Sequence, residues 1–149
     1  SRLYKRPNGT GWNAMYEIER TEYGIRITIS GQFGEGKATE FIRNVRTHVR
    51  QRDGSFCVLA DLREMETFPP EVGEQMAELM EFCNANGMER SADIVETTTT
   101  SLQMEQLVAQ AGIDEYVIDA TTVEEAESQA LDWIEDGIPP TENGPGHPS

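Results

Sequence analysis

Five consecutive apolar residues, Phe56-Cys57-Val58-Leu59-Ala60, lie between Asp53-Gly54 and Asp61, and no other stretch restricts the fold as strongly. A run this short, bounded by turn residues, reads as a strand covered on at least one face and therefore as the middle of a sheet. No segment approaches the roughly 18 to 20 consecutive apolar residues of a membrane-spanning helix, and no charged-then-apolar start resembles a signal peptide. The expectation is a cytoplasmic protein with no membrane span. With 149 residues, 37% of them hydrophobic, the chain has material for one core and one compact domain.

The segments on either side of this strand have clear periods. Tyr16 and Ile18, then Ile25, Ile27 and Ile29, alternate with polar residues across Thr21-Glu22-Tyr23-Gly24, which predicts a hairpin with one buried face. From Gly36, Ala38, Phe41, Ile42, Val45 and Val49 recur at helical spacing. After Phe68-Pro69-Pro70, a second helix carries Val72, Met76, Leu79, Met80 and Cys83 and stops at Asn86-Gly87. Ala92 to Val95 is a short strand, and the threonines from Thr97 to Thr100 supply caps for a third helix through Leu102, Leu107, Val108 and Ala111. Tyr116-Val117-Ile118 is the last strand. Thr122-Val123-Glu124-Glu125 has the form of a capping box, opening a fourth helix through Val123, Ala126, Ala130, Trp133 and Ile134. The order β-β-α-β-α-β-α-β-α implies an α/β domain with a mixed sheet of about five strands joined by right-handed crossovers. One apolar stripe per helix places the helices mainly on one face, in a single layer. The first strand of the hairpin should run antiparallel to its neighbour.

Residues 1–14 have no period and read as a flexible leader, native or appended, with Met15 resembling a natural start. Residues 138–149 hold four prolines and two glycines and read as a tail, so the domain should span 15–137.

Charge is divided unevenly. Residues 1–63 contain eleven basic groups and seven acids, whereas 64–149 contain twenty acids and a single cation, Arg90. The net charge of -15 argues against nucleic acid as a partner, and four arginines on one helix (Arg43, Arg46, Arg50, Arg52) read as solvated surface or subunit contact. An acidic surface with only two lysines, Lys5 and Lys37, suits a high-salt cytoplasm and so a halophilic host. A hairpin edge rich in Ile and Tyr, with an Arg-bearing helix opposed to an acidic half, points to self-association as a homodimer. Cys57 and Cys83 have neither the spacing of a metal site nor that of a disulfide framework and read as core thiols. His48 and His147 stand alone. No metal or other cofactor is expected.

Several segments together resemble the STAS superfamily, and more closely its SpoIIAA-like, or STAS/SEC14, members. They are Met15-Tyr-Glu-Ile-Glu-Arg20, Val58-Leu-Ala-Asp61-Leu-Arg63, Phe68-Pro-Pro70, Gly87-Met-Glu-Arg90-Ser91, Ala111-Gly-Ile113 and Asp132-Trp-Ile134. The resemblance covers Met15 to about Gly137 and specifies a scaffold rather than an activity. It implies a non-enzymatic regulatory or protein-interaction module. In phosphorylatable members an Asp-Ser pair occupies the turn after the central strand. The matching turn here, Glu64 to Pro70, has no serine, which leaves Thr67 as the candidate phosphorylation position among acids that oppose it.

Gly31-Gln-Phe-Gly34-Glu-Gly36-Lys37-Ala38 has the outline of a phosphate-binding loop, but Ala38 offers no hydroxyl to hold a metal, so it reads as a glycine turn. Asp61, Arg63, Arg90 and Thr97, with Asp119, fall near strand ends and are the candidate ligand-binding residues of a crevice at the carboxyl edge of the sheet. Arg63 and Arg90 have a simpler reading as partners for neighbouring acids. The alternative function is therefore a small-ligand domain, for lipid or nucleotide. No Ser-His-Asp set, Cys-His pair or paired-carboxylate spacing supports hydrolysis.

Overall fold

The computed structural model describes residues 4–5, 12–13 and 15–141. Within the segment expected to be a leader, β1 (Tyr4–Lys5) and β2 (Trp12–Asn13) form a separate antiparallel pair. The rest of that leader, and residues 142–149 of the tail, lie outside the described residues.

The main sheet has five strands in chain order: β3 (Met15–Arg20), β4 (Gly24–Gly31), β5 (Phe56–Met65), β6 (Met88–Val95) and β7 (Glu115–Asp119). β3 is antiparallel to β4, and every later pair is parallel. The expected order, hairpin and strand number are all present, with β5 in the centre. The hairpin turn closes by reciprocal backbone bonds between Thr21 and Gly24. Gly24 is irreplaceable on geometric grounds: its φ is +150° and a Cβ there would fall 2.1 Å from the Cys57 carbonyl oxygen.

Three helices fill the crossovers: α1 (Glu35–Arg50), α2 (Pro70–Ala85) and α3 (Thr98–Ala111). Because the strands succeed one another in a single direction, right-handed crossovers must all lie on one face. There they bury Ile25, Ile27 and Ile29 of β4 and Val58, Ala60 and Leu62 of β5 beneath Phe41, Val45, Val72, Met76 and Met104. Edge-on packing of Tyr16 against Phe41, with ring centroids 5.1 Å apart, closes the β3 side of this layer.

The fourth helix, α4 (Ala126–Asp136), is not a crossover and is free of that constraint; it packs across β5 and β6 on the opposite face. Helices thus lie mainly, but not solely, on one face, and the expectation of a single helix layer fails. The reason is in the strands: Cys57, Leu59, Ala92, Ile94 and Ile118 point away from the first layer and need the cover of Ala126, Ala130, Trp133 and Ile134. The expected capping box also fails. The chain first makes a turn in which the Thr122 and Val123 N–H groups donate to the Asp119 carbonyl, and the helix begins only after Glu125, which takes a left-handed φ of 52°. The Thr97 side chain does cap α3, accepting from the Thr100 N–H at 3.1 Å. Cys57 and Cys83 are buried free thiols, and burial pushes Cys83 up to about 12.

Candidate functional site

Three of the four residues expected to share a crevice lie at the carboxyl ends of β5 and β6. Asp61 and Arg63 project from β5 on the α4 side, beside Thr28 and Ser30 of β4 and near Glu64 and Glu96, around a cleft of about 420 Å³. Thr97 follows β6, with its hydroxyl used in capping α3. Arg90 is elsewhere. It pairs in register with Cys57 near the start of β5, at the other end of the sheet, and its guanidinium donates to the Ile134 carbonyl at 2.9 Å while lying over the Trp133 ring. Its task is to hold the carboxyl end of α4, where backbone carbonyls lack helical partners. Asp119 is likewise occupied, accepting from the Thr121 N–H and hydroxyl in the turn before α4.

Asp61 and Arg63 belong to a closed ring of four alternating charges. Arg63 donates to Asp61 through Nε at 2.9 Å and a terminal nitrogen at 2.7 Å, and to Glu127 at 3.0 Å. Arg26 completes the ring, 3.5 Å from Asp61 and 3.4 Å from Glu127. Burial alone would raise the pKa of Asp61, but the hydrogen bonds from Arg63 and the charges of Arg63 and Arg26 outweigh it, and the carboxyl is held below its ordinary value. The same bonds from Asp61, then Glu127, push Arg63 upward. The ring fastens the start of α4 to β4 and β5. Its cations are already matched, and Glu64 and Glu96 add negative charge beside them.

The second surface feature is built from the β4–α1 and β5–α2 loops. Gln32, Phe33, Gly34, Thr67, Phe68 and Pro69 surround a cleft of about 450 Å³. Phe33 and Phe68 are buried and form its floor, whereas Thr67 is exposed just before Pro69 and Pro70 start α2. The loops are held from two sides. The Glu66 N–H donates to the Gly31 carbonyl at 2.9 Å, and the Gln103 amide of α3 donates to the Phe68 carbonyl at 3.0 Å while accepting from its N–H. Gln103 thereby replaces a neighbouring strand for this piece of main chain. Sequence reasoning missed Gln103 and Glu127. A polar amide four residues before buried Leu107, on the inner side of a helix, was the available signal for the first; nothing in the local pattern marked the second.

The glycine segment 31–38 forms the end of β4 and the start of α1. Lys37 pairs with Glu40 at 3.5 Å, and the Thr39 hydroxyl donates to the Glu35 carbonyl. Among the described residues no three His, Cys, Asp or Glu side chains converge as a metal site, and no helix is long and apolar enough to cross a membrane.

Comparison with known proteins agrees with this architecture. No family model matches the chain, and no curated protein matches it by sequence. Solved structures do. An uncharacterized protein of the DUF3478 family with a SpoIIAA-like fold, from Shewanella loihica PV-4, superposes with a TM-score of 0.57 at 11% identity, over 82% of this chain and 94% of that one. An anti-sigma factor antagonist from Mycobacterium paratuberculosis superposes with a TM-score of 0.56 at 14% identity, over 87% of this chain and all of its own. The class is therefore an α/β protein with a five-stranded mixed sheet and four helices. More narrowly, it has the SpoIIAA-like fold that the sequence resemblance implied.

Proposed function

We propose that the chain is a non-enzymatic regulatory module of the SpoIIAA-like type, acting by docking a protein partner over the cleft between the β4–α1 and β5–α2 loops. The observation that carries this reading is the cleft itself: an aromatic floor of Phe33 and Phe68 beneath exposed Thr67, with the β5–α2 loop held by Gln103 and tied to Gly31 through the Glu66 N–H. A rigid concavity with an apolar floor and a polar rim is what a partner side chain fills at the centre of an interface. The fold likeness to an anti-sigma factor antagonist supports a regulatory rather than a catalytic use. The other cleft is less suited to a nucleotide or other anionic ligand, since Arg63 is matched by Asp61 and Glu127 and the remaining lining includes Glu64 and Glu96.

A photo-crosslinking residue placed at Thr67 or Gln32 in the native host tests the proposal. It should yield a covalent adduct with one protein that is absent when the residue replaces exposed Asn84 at the far end of α2. Equal adducts at all three positions, or none, refute the reading.

The partner set includes a second copy of this chain. Arg43, Arg46 and Arg50 line one groove along α1 with Thr39, Gln75 and Glu78, and form no ion pair among the described residues. The acidic half of a second molecule, with twenty carboxylates, is complementary to them. Sedimentation in moderate salt should show a dimer that charge reversal of the three arginines abolishes; a 16.7 kDa monomer for the wild type refutes it.

A further inference from the structure

The first core layer encloses a cavity of about 80 Å³ whose wall is apolar except at one end. The apolar part includes Val45, Val58, Met76, Leu79, Met80 and Met104. At the polar end are Ser91 and Asp93 of β6 and Glu115 of β7. Alternation along β6 places Ser91 and Asp93 on the same sheet face, and Glu115 is in register with Ser91, so the three converge there. Asp93 is only 5% exposed. The Ser91 hydroxyl donates to one Glu115 oxygen. Asp93 Oδ2 and Glu115 Oε2 are buried and accept from no N–H or hydroxyl group among the described residues.

Asp93 is buried in this apolar core and Glu115 is half-buried with its Oε2 shut off from solvent; neither is paired with a cation among the described residues, which is costly and needs an explanation beyond packing. Burial raises the Asp93 pKa well above the ordinary carboxyl value, and the charge and hydrogen bond of neighbouring Glu115 raise it further. The two carboxyl groups together carry more acceptor lone pairs than the Ser91 hydroxyl and one shared proton can fill.

We infer that this cavity is a binding site for a small primary alkylammonium ion, with its charged head between Asp93 and Glu115 and its tail among the methionines. The inference is independent of any partner docked at the surface clefts. An ammonium group has three N–H donors and no acceptor. The site offers Asp93 Oδ2, Glu115 Oε2 and a lone pair of Ser91 Oγ. As the cation enters, a proton shared by the pair leaves to solvent, and the ammonium takes its place between the two carboxyl groups. A dry cavity of roughly 150 Å³ admits benzene, so this one takes a tail of about three to five heavy atoms, more if methionines shift. Entry is supplied by the same residue type: Met80 and Met88 line the cavity and also reach the surface, and an unbranched thioether can swing aside.

The test uses the full chain with its methionine methyl groups labelled with carbon-13 and isobutylammonium chloride as the probe, with isobutanol of the same shape as the uncharged comparator. Titration should give saturable methyl shifts at Met76, Met80 and Met104, at least tenfold weaker binding of isobutanol, and at least tenfold weaker amine binding in Asp93→Asn and in Glu115→Gln, each checked for folding by circular dichroism. Absence of saturable shifts refutes the site. Equal binding of amine and alcohol makes the cavity an unselective apolar void and also refutes it, as does undiminished amine binding in both variants. Should neither variant fold, the wild-type comparison of amine with alcohol decides alone.

Discussion

Replacing Trp133 by Phe probes whether α4 covers the second sheet face. Trp133 is 8% exposed, its indole N–H donates to the Ser91 carbonyl of β6 at 2.9 Å, and its ring meets Tyr116 edge-on at 4.8 Å. Phenylalanine keeps a ring against Tyr116 but removes the donor, worth about 1 kcal/mol for a buried neutral bond. It also deletes two ring carbons from the core, at roughly 0.8 kcal/mol for each methylene-sized group. The expected loss is about 2.5 kcal/mol. A change to alanine would cost roughly 3 to 5 kcal/mol for packing alone, a large share of the stability of an ordinary domain, so Phe is the better instrument. Urea unfolding followed by far-ultraviolet circular dichroism measures the difference, with an unchanged m-value confirming a common unfolded state. A loss below about 1 kcal/mol would mean that the indole is not seated on β6, and the placement of α4 would be wrong.

Gly24→Ala should destabilise the domain by more than about 3 kcal/mol, because the backbone carbonyl of Cys57 lies where the methyl group must go; a thermal melt within a few degrees of wild type contradicts this. Glu125→Gly should be neutral or stabilising by about 0.5 to 1 kcal/mol, since glycine removes a left-handed strain at the helix cap; a clear loss in chemical denaturation would refute it. Asp93, raised in the folded state by burial and Glu115, binds more protons folded than unfolded, so its contribution is greatest below its unfolded value near 3.8 and declines as pH rises through the folded value. Asp93→Asn should therefore gain stability relative to wild type as pH rises from about 4 toward neutrality, Glu115 and the Cys83 thiol facing it in both proteins; a difference independent of pH refutes the assignment.

Much of the fold was legible because period and punctuation agreed: alternating isoleucines for the hairpin, helical spacing closed by Asn86-Gly87 for α2, a threonine cap for α3. Boundaries blurred where charge entered strands. β5 continues past Ala60 through Asp61, Arg63 and Glu64, and β6 begins at Met88 with Glu89 and Arg90, because these residues stand at sheet ends where ion pairs and helix termini receive them. The side of α4 was hidden, since its apolar stripe says that it packs but not on which face; only the double-sided apolar content of Phe56 to Ala60 hinted at a second layer. Of the candidate site, Asp61 and Arg63 lie side by side on β5. Arg90 was misplaced because a residue's position within a strand cannot be read when the strand's start is missed. Asp93 was passed over as one polar letter in Ala92-Asp-Ile-Val95, although a carboxylate in a strand apolar on both faces is a signal in its own right.

The sequential order of the strands has a consequence for synthesis. Each strand pairs with the one made just before it, so the sheet and its first helix layer can assemble from the N-terminal side as the chain leaves the ribosome. The second face has no such schedule. Leu59, Ala92 and Ile94 are made before α4, and until that helix closes over them they form an uncovered apolar surface. A released chain that ends before residue 126 would therefore carry a sheet ready to aggregate or to recruit a chaperone, and only the last helix ends that exposure.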